Sequence, residues 1–565
     1  MDKKKSIKIR YIIPLIHFLL TFAWERMVLL FDQSSALQVA FSTPISNTFS
    51  IEFERIMCYF ISKIMAGVII VAIWSLVFAV VDNKIKKNIV IIFGSIWALL
   101  MITTIIQWPD CFIAGGDNYI PFSYSLRLMP EYWHSILLSC LYTASMMVFP
   151  HAISISLLQC TFFVFAVGYL YYRIDNCHLF SVTKWIKYLS FCLFFFRDTF
   201  NVTTNPERAE YNASFLLILV TLVVFDIIEK KKRSKKELAI ILLYASFLAV
   251  FRSEGIIVAI PAVLILLIIN YRPKVFKLLG VLAIICICVL VIKLPGKVGE
   301  KKYYGQDYSI VNTFPTLKNI FNSDTTNLSY NGAKEDLEAI DAITPIDLIA
   351  EYGTWGYRRY NYANGQIDFN QSLASSEVSD AYMSAYKSIV IHNISIYLKT
   401  QCSMMLSALG TGVPEYDVTY RGEHTELDEL GRDIWEVGVN DALAIPGRYK
   451  WENFSVRNAL IVVLTTIRMK YYLLITDLKI YAAFNIALVL LGLFIMCFSF
   501  VKTLKKQYEY LALLMMSMIL SGYFVALSLV MPTGANMYFH AYFYSMFAVL
   551  IVFISLLVKR RNNAA

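Results

Sequence analysis

The stretch Asn212-Ala-Ser-Phe-Leu-Leu-Ile-Leu-Val-Thr-Leu-Val-Val-Phe-Asp-Ile-Ile228 is followed at once by Glu229-Lys-Lys-Lys-Arg-Ser-Lys-Lys236. The apolar part approaches the roughly 20 residues that cross about 30 Å of hydrocarbon. The basic part is what the positive-inside rule keeps in the cytoplasm. Together they set the orientation of a membrane helix that starts outside and ends inside. Working outward from 212–228, similar runs fall near 11–31, 56–81, 89–107, 153–173, 184–197, 238–251, 255–271, 277–294, 479–501, 508–530 and 537–558. Lipid offers a backbone no hydrogen-bond partner, so such runs must be helices. The expectation is an all-α polytopic membrane protein of about twelve spans.

With that count the inner loops are Lys84 to Lys87, Arg173 to Lys187, Glu229 to Lys236, Arg272 to Lys277, Lys502 to Lys506 and the tail Lys559-Arg-Arg561, and each is basic. Both termini then lie in the cytoplasm. Shifting the count by one span would place the Lys230–Lys236 cluster outside. The first run, Tyr11 to Leu30, follows a Lys-rich start but lacks a small-residue cleavage site, so it reads as an uncleaved first helix. The stretch His134 to Phe149 sits between Pro130 and Pro150, is short, and would invert every later loop if it spanned. It is expected as a re-entrant or interfacial outer helix over 134–149.

The domains that follow are a transmembrane unit over 1–294, with an outer acidic loop at 108–133, and an external soluble domain over 295–456, mixed or helical. An interfacial amphipathic stretch at 457–478 leads to a second transmembrane unit over 479–565. Of the 565 residues, 58% are hydrophobic and 16% charged, far from the balance of a soluble chain. The net charge of +10 resides in short inter-span loops, which argues against nucleic acid as a partner. The ten cysteines lie mostly within apolar runs, with Cys111 and Cys402 in outer loops, and indicate neither a disulfide framework nor a zinc site. Abundant Lys, Ile and Phe point to a bacterium of low genomic GC content, hence to a bacterial cytoplasmic membrane.

Outer loops do not need charge for topology, so their polar residues are the candidates for chemistry. The first group runs from Trp108-Pro-Asp110 through Gly115-Gly-Asp117-Asn118 and Arg127 to Pro130-Glu-Tyr-Trp-His134. Two glycines permit a tight turn that presents Asp117 and Asn118 toward a cavity. A carboxylate there can serve as general base toward a hydroxyl, although an isolated loop Asp also caps helices. The second group is Arg197-Asp198 with Glu207-Arg208-Ala-Glu210, which could equally be structural ion pairs. The third is Arg252-Ser-Glu254-Gly255, where charge interrupts an apolar run. Ionisable residues at membrane depth mark functional cavities by default, and an Arg fork suits phosphate. The fourth is Tyr538-Phe-His540, where the bland alternative is a satisfied interfacial His. In the large loop Trp355, Arg358 and Arg359 suit sugar stacking and hydrogen bonding. Glu25-Arg26 and Glu52 to Arg55 read as interface anchors, and Lys63 as a side chain that snorkels outward. No Walker loop, Rossmann glycine pattern or HExxH occurs.

In their order and common sidedness these motifs resemble the GT-C class of membrane glycosyltransferases, the superfamily of protein O-mannosyltransferases and aminoarabinose transferases. The resemblance covers scattered motifs over about residues 85–400. Asp117-Asn118 stands where that class has an acidic residue in its first long outer loop, often as an Asp-Glu pair. Pro130 to His134 resembles its re-entrant element, Arg197-Asp198 its basic-acidic pair, and Arg252-Ser-Glu-Gly255 an element opening a later span. Ala385 to Leu409 resembles the segment before the late spans of bacterial relatives. The Asp-Asn pair and two extra leading spans depart from the pattern. Asp110 or Asp117 therefore corresponds to the catalytic acid, with Asp198 as a source of the second carboxylate.

The resemblance implies inverting transfer of a sugar from a polyprenyl-phosphate donor to a glycan or glycolipid acceptor at the outer face. Asp117 would take the acceptor proton, Arg252 and Arg208 would offset charge on the departing phosphate, and His134 and Asp198 would orient the substrates. A divalent metal, Mg or Mn, would be the cofactor if a carboxylate and the phosphate share one. Two other readings remain at this point. A polysaccharide polymerase or ligase would rely on Arg252, Arg358 and Arg359, whereas a lipid-linked glycan flippase or transporter would carry its polar residues near the midplane.

Overall fold

The computed structural model describes residues 3–29, 50–107, 116–132, 135–195, 208–252, 254–271, 310, 312–353, 376–411, 459–460, 462–463, 480–507, 509–530 and 539–564. Their regular structure is entirely helical. In chain order the helices are α1 (Lys3–Val28), α2 (Ile51–Val81), α3 (Lys87–Gln107), α4 (Gly116–Leu126), α5 (Ile136–Val148) and α6 (Ser154–Asn176). A 3-10 helix, His178–Phe195, comes next, followed by α7 (Arg208–Ile228), α8 (Lys235–Phe251) and α9 (Gly255–Tyr271). The later helices are α10 (Phe314–Phe321), α11 (Ala333–Asp341), α12 (Ile346–Tyr352), α13 (Ser376–His392), α14 (Ile394–Ala408), α15 (Ile480–Leu504), α16 (Glu509–Val530) and α17 (His540–Ala564).

Eight helices among the described residues are long and apolar enough to cross a membrane: α1, α2, α3, α6, α7, α15, α16 and α17. The chain is thus a multi-pass membrane protein of all-α type. Three more of the expected spans are described but differ in form. The run 184–197 belongs to the 3-10 helix His178–Phe195, whose 18 residues extend about 36 Å at roughly 2 Å per residue. It is not among the eight helices that are long and apolar enough to cross. Helices α8 and α9 have 17 residues each, about 26 Å at α-helical rise. The run 277–294 lies outside the described residues, as does most of 457–478. The stretch 134–149 contains α5, a 13-residue helix buried along its whole length from Ile136 to Met147. Helix α5 packs on α2, α4 and α6, which is why it is both apolar and buried.

Burial separates centre from rim. In the apolar window of α7, 89% of residues are buried inside the protein, against 17% in those of α1 and α2. The centre is α6, α7, the 3-10 helix and α17, which pack on one another. Apolar rim helices leave Leu15, Leu19, Phe60 and Ile64 exposed, a surface that only lipid or another apolar partner solvates well.

One end of the bundle is tied together by charge. Asp226, fully buried near the end of α7, accepts from Arg173 of α6 at 3.2 Å and from Arg233 at 2.7 and 3.0 Å. Arg173 also reaches Glu229, and Arg233 reaches Glu237 at 2.9 Å. Ser234 closes a capping box on α8 with Glu237. The Ser234 backbone N–H, with the Arg233 guanidinium, holds the Glu237 carboxyl down at about 2. Asp175 at the end of α6 is gripped by Lys86 and Lys187, and Arg10 pairs with Asp82. The loops at 82–87, 173–187 and 226–237 thus share one end. Helices α7 and α8 necessarily carry their other termini, Arg208 and Phe251, to the opposite end.

Three readings of single residues need correction. Lys63 does not snorkel: it is 6% exposed, donates to Thr21 at 2.8 Å, pairs with Glu25, and lies 3.9 Å from the Phe22 ring centroid. Glu25 is correspondingly a buried counter-ion, also bonded by Tyr59, and not an interface anchor. Likewise Glu54 is fully buried and accepts from Tyr132 at 2.6 Å. Both pairs join helices far apart in sequence, which one-dimensional reading does not show.

Of the segment 295–456, the described part is helical. Ile310, Phe314, Leu317, Ile320, Ile340, Ile349, Tyr382 and Ile389 form its own core, separate from that of the membrane bundle. Helix α14 links the two cores: its Met404 and Ala408 join the bundle core, and Tyr397 donates to Leu529 O of α16 at 2.6 Å. Leu529 lies at the far end of α16 from the basic turn Lys505–Lys506, so this unit meets the bundle opposite its basic loops.

Replacing Asp226 with Ala should leave Arg173 and Arg233 without their buried counter-charge and cost about 3–5 kcal/mol. Thermal melting in detergent reads this as a clear fall in Tm. Lys84→Ala, at an ion pair whose lysine is 68% exposed, should change Tm little.

Candidate functional site

The end opposite the basic loops carries the Arg252-Ser-Glu254-Gly255 element. Helix α8 stops because Arg252 leaves helical geometry, with φ −142° and ψ 135°, and α9 begins three residues later at Gly255. The chain reverses in a very tight turn, Gly255 N–H donating to Arg252 O at 2.9 Å. A Cβ on Gly255 would stand 2.5 Å from the carbonyl oxygen of Leu248, so only glycine permits this approach of α8 to α9. The turn therefore sets two charged side chains at the mouth of the bundle by backbone geometry.

Arg252 is 4% exposed, and its Nε donates to Glu254 at 3.1 Å. The Glu254 side chain keeps 21% of its surface exposed, so the pair sits between bundle interior and surroundings. An ion pair that is buried on one side costs desolvation that the partner charge and further hydrogen bonds must offset.

Two residues that sequence reading passed over complete the surroundings. Asn212, in the second turn of α7, is fully buried, and its Oδ1 lies 3.7 Å from the position a Gly255 Cβ would take. Neither its Oδ1 nor its Nδ2 has a hydrogen-bond partner among the described residues. Tyr523 of α16 is 1% exposed, and its hydroxyl is likewise unpartnered among the described residues. Helices α7, α9 and α16 pack mutually around this point. Asn212 could have been found, since it follows Arg208 by one helical turn and is a polar residue at membrane depth. Tyr523 carries no such signal in a chain with 36 tyrosines.

The remaining sequence candidates fall as follows. Asp117 and Asn118 lie in the first turn of α4, and Arg208 and Glu210 in the first turn of α7. Arg127 is 1% exposed and turns back on α4, its Nε donating to Ser123 O at 3.1 Å. Arg55 Nε donates to the Arg127 carbonyl at 3.3 Å. The hairpin of α4 and α5 reaches the Arg252 turn through Ser135, whose hydroxyl donates to Val250 O at 3.4 Å. His540 opens α17, is 3% exposed, and stacks on Tyr544 with centroids 6.4 Å apart. Next to it Phe539 and Tyr542 pack on Phe524, the neighbour of Tyr523. Thus Arg208, Arg252, Glu254 and His540 all belong to helix ends opposite the basic loops. Asp110, His134, Arg197, Asp198, Glu207, Trp355, Arg358, Arg359 and Tyr538 lie outside the described residues.

Among the described residues no group of three His, Cys, Asp or Glu side chains could hold a metal ion, and Glu254, the carboxylate at the mouth, is engaged by Arg252. Chemically the arrangement offers a guanidinium for an anionic group, a carboxylate it can exchange for that group, and neutral donors and acceptors beside them. The chain matches no family model, no curated protein and no solved structure.

Gly255→Ala should force α8 from α9 and cost about 1–3 kcal/mol through overpacking. Gly94→Ala on the rim, where nothing lies within 4 Å of the new methyl, should leave Tm unchanged or raised. Melting curves of both variants in detergent check this.

Proposed function

We propose that this chain transfers a sugar from a polyprenyl-phosphate donor to a cell-envelope glycan or lipid acceptor at the outer face of a bacterial cytoplasmic membrane. The observation that carries the reading is the Arg252–Glu254 pair. It is a nearly buried guanidinium held 3.1 Å from a partly exposed carboxylate, at helix ends opposite the basic loops. The positive-inside rule makes those basic loops cytoplasmic and this mouth external. A lipid phosphate arriving from the bilayer meets the guanidinium at the depth where a head group lies.

In the resting protein Glu254 neutralises Arg252 and lowers the cost of keeping it buried. Two phosphate oxygens offer the guanidinium a two-pronged, charge-assisted partner. Once the sugar–phosphate bond breaks, charge builds on the departing phosphate, and a guanidinium already in place stabilises it without reorganisation. Asp117, at the start of α4, is the base that takes the acceptor hydroxyl proton, with Asp110 and Asp198 as the other carboxylates of this role. The acceptor attacks the anomeric carbon from the face opposite the phosphate, giving inversion. The helices α10 to α14, of which α14 joins the same end of the bundle, are suited to hold the acceptor.

Proteoliposomes containing the protein, a polyprenyl-phosphate sugar and an envelope glycolipid acceptor provide the assay. Arg252→Ala should reduce transfer about 10²–10³-fold, the scale of losing one charge-stabilising group. Asp117→Asn should abolish transfer while membrane expression stays normal. Full activity in Asp117→Asn would shift the base to Asp110, and full activity in both variants would end the transferase reading. If Arg359→Ala is silent in the same assay while Asp117→Ala is not, a polymerase or ligase gripping pyrophosphate is excluded. Donor movement without a new glycosidic bond would instead identify a flippase.

A further inference from the structure

The helical unit that meets the bundle opposite its basic loops changes character at the turn between α13 and α14. Helices α11 and α13 are arranged as helices in water are. On α11, Ala333 and Ile340 are buried, while Lys334 and Glu338 keep 86% and 68% of their side-chain surface exposed. On α13, Tyr382, Ala385 and Ile389 are buried, and Glu377, Asp380 and Lys387 are exposed. Helix α14 departs from this pattern. Its outward side carries Ile394, Leu398 and Leu406, which are 51%, 45% and 39% exposed, and Cys402, also exposed. These four recur every fourth residue, so they form one stripe along the helix. Its inward side mixes Ile396, Met404 and Ala408 with Thr400, Gln401 and Ser407, all buried.

Isolated exposed apolar side chains are ordinary, but an unbroken row of them marks a contact surface. The attachments of α14 say what lies against it. Near its start Tyr397 donates to Leu529 O of α16 at 2.6 Å, and at its end Asn485 Nδ2 of α15 donates to Leu409 O at 3.2 Å. Gly410 follows at φ +95°, where a Cβ would stand 2.9 Å from the Tyr481 ring, so this helix end and α15 touch closely. Helix α14 is thus pinned to two helices that are long and apolar enough to cross a membrane. On its polar side Asn319 of α10 donates to Thr400 at 2.9 Å. Leu529 is itself 41% exposed, and with Met518 and Val525 it lines one outward face of α16. That face of a spanning helix meets hydrocarbon. The α14 stripe continues from it at Leu398, the neighbour of Tyr397.

From this continuity we infer that α14 is a membrane-inserted helix that lays Ile394, Leu398, Cys402 and Leu406 among phospholipid acyl chains, in the leaflet opposite the basic loops. The membrane surface then crosses the unit at the α13–α14 turn and leaves α11 and α13 in water. Lys399, exposed toward one edge of the stripe, keeps its amine at head-group level while its stem lies in the apolar layer. With 15 residues, about 22 Å long, α14 is too short to span. An apolar face sunk beneath the head groups is how interfacial helices bind. The contact sets the depth of α10 to α13 relative to the lipid head groups, and it holds whether or not the chain transfers a sugar.

The test uses the full-length protein in liposomes of phosphatidylethanolamine and phosphatidylglycerol. Leu398, Leu406 or Glu338 is replaced, one at a time, by the photoreactive residue p-benzoylphenylalanine. All three side chains are exposed, so the larger residue needs no room inside the fold. After irradiation, peptide mass spectrometry reads what each position has bonded to. Positions 398 and 406 should give phospholipid adducts, and position 338 should give none. Native Cys402 supplies a second measurement without a substitution on α14. A charged, water-soluble maleimide should modify Cys402 at least about 10-fold more slowly than the thiol introduced on α11 by Glu338→Cys, because hydrocarbon excludes the charged reagent. Adducts from positions 398 and 406 to a second copy, or to another segment of this chain, in place of lipid would overturn the inference. So would modification of Cys402 as fast as that of Glu338→Cys.

Discussion

Asp226 receives Arg173 from one side and Arg233 from the other, and the layout of the rest of the bundle depends on that clamp. A carboxylate with no exposure can stay ionised only if counter-charges and hydrogen bonds replace water. Here the replacements come from the end of α6 and from the loop between α7 and α8, so these segments must meet. Once they do, the direction of α6, α7 and α8 is set. The far ends of α7 and α8, which carry Arg208 and Arg252, then gather at the opposite pole. Lys86 and Lys187 on Asp175 bind α3 and the 3-10 helix into the same pole as Asp226.

The two poles use charge in different ways. At the basic pole several ion pairs and hydrogen bonds interlock, and Asp226 and Asp175 each engage two cations. At the other pole Arg252 and Glu254 answer each other across a turn so tight that Gly255 cannot be replaced, with unsatisfied neutral groups beside them. The difference lies in how many charges interlock, several at the basic pole against a pair held across a glycine turn at the other. Thr21, Tyr59 and the Phe22 ring surround the buried Lys63–Glu25 pair on the rim.

Much of the fold was legible because hydrocarbon imposes length and polarity directly on the sequence. Runs such as Ile51–Val81 and Ile480–Leu504 are visible by composition alone. The 3-10 form of His178–Phe195 was not legible, since composition does not encode rise per residue. Lys63 and Glu54 were misassigned to the interface for a related reason. Whether a charge in an apolar helix snorkels or is paired depends on a neighbour distant in sequence, Glu25 for one and Tyr132 for the other. In the candidate site, Arg252 and Glu254 stood out because they break an apolar run, whereas Tyr523 resembled any other aromatic residue until α16 was seen beside the turn.

By itself, then, the sequence determined that this is an all-helical, multi-pass membrane protein with its basic loops at alternate span ends. Those properties follow from one-dimensional quantities, namely the length of apolar runs and the placement of cations, on which the bilayer acts as a solvent. Only the tertiary structure decided which charges are sealed in networks, why Gly255 must be glycine, and that Asn212 lies against that glycine. These depend on distances between helices that the chain reaches by separate routes, and a pattern read along a single strand of sequence contains no such distances.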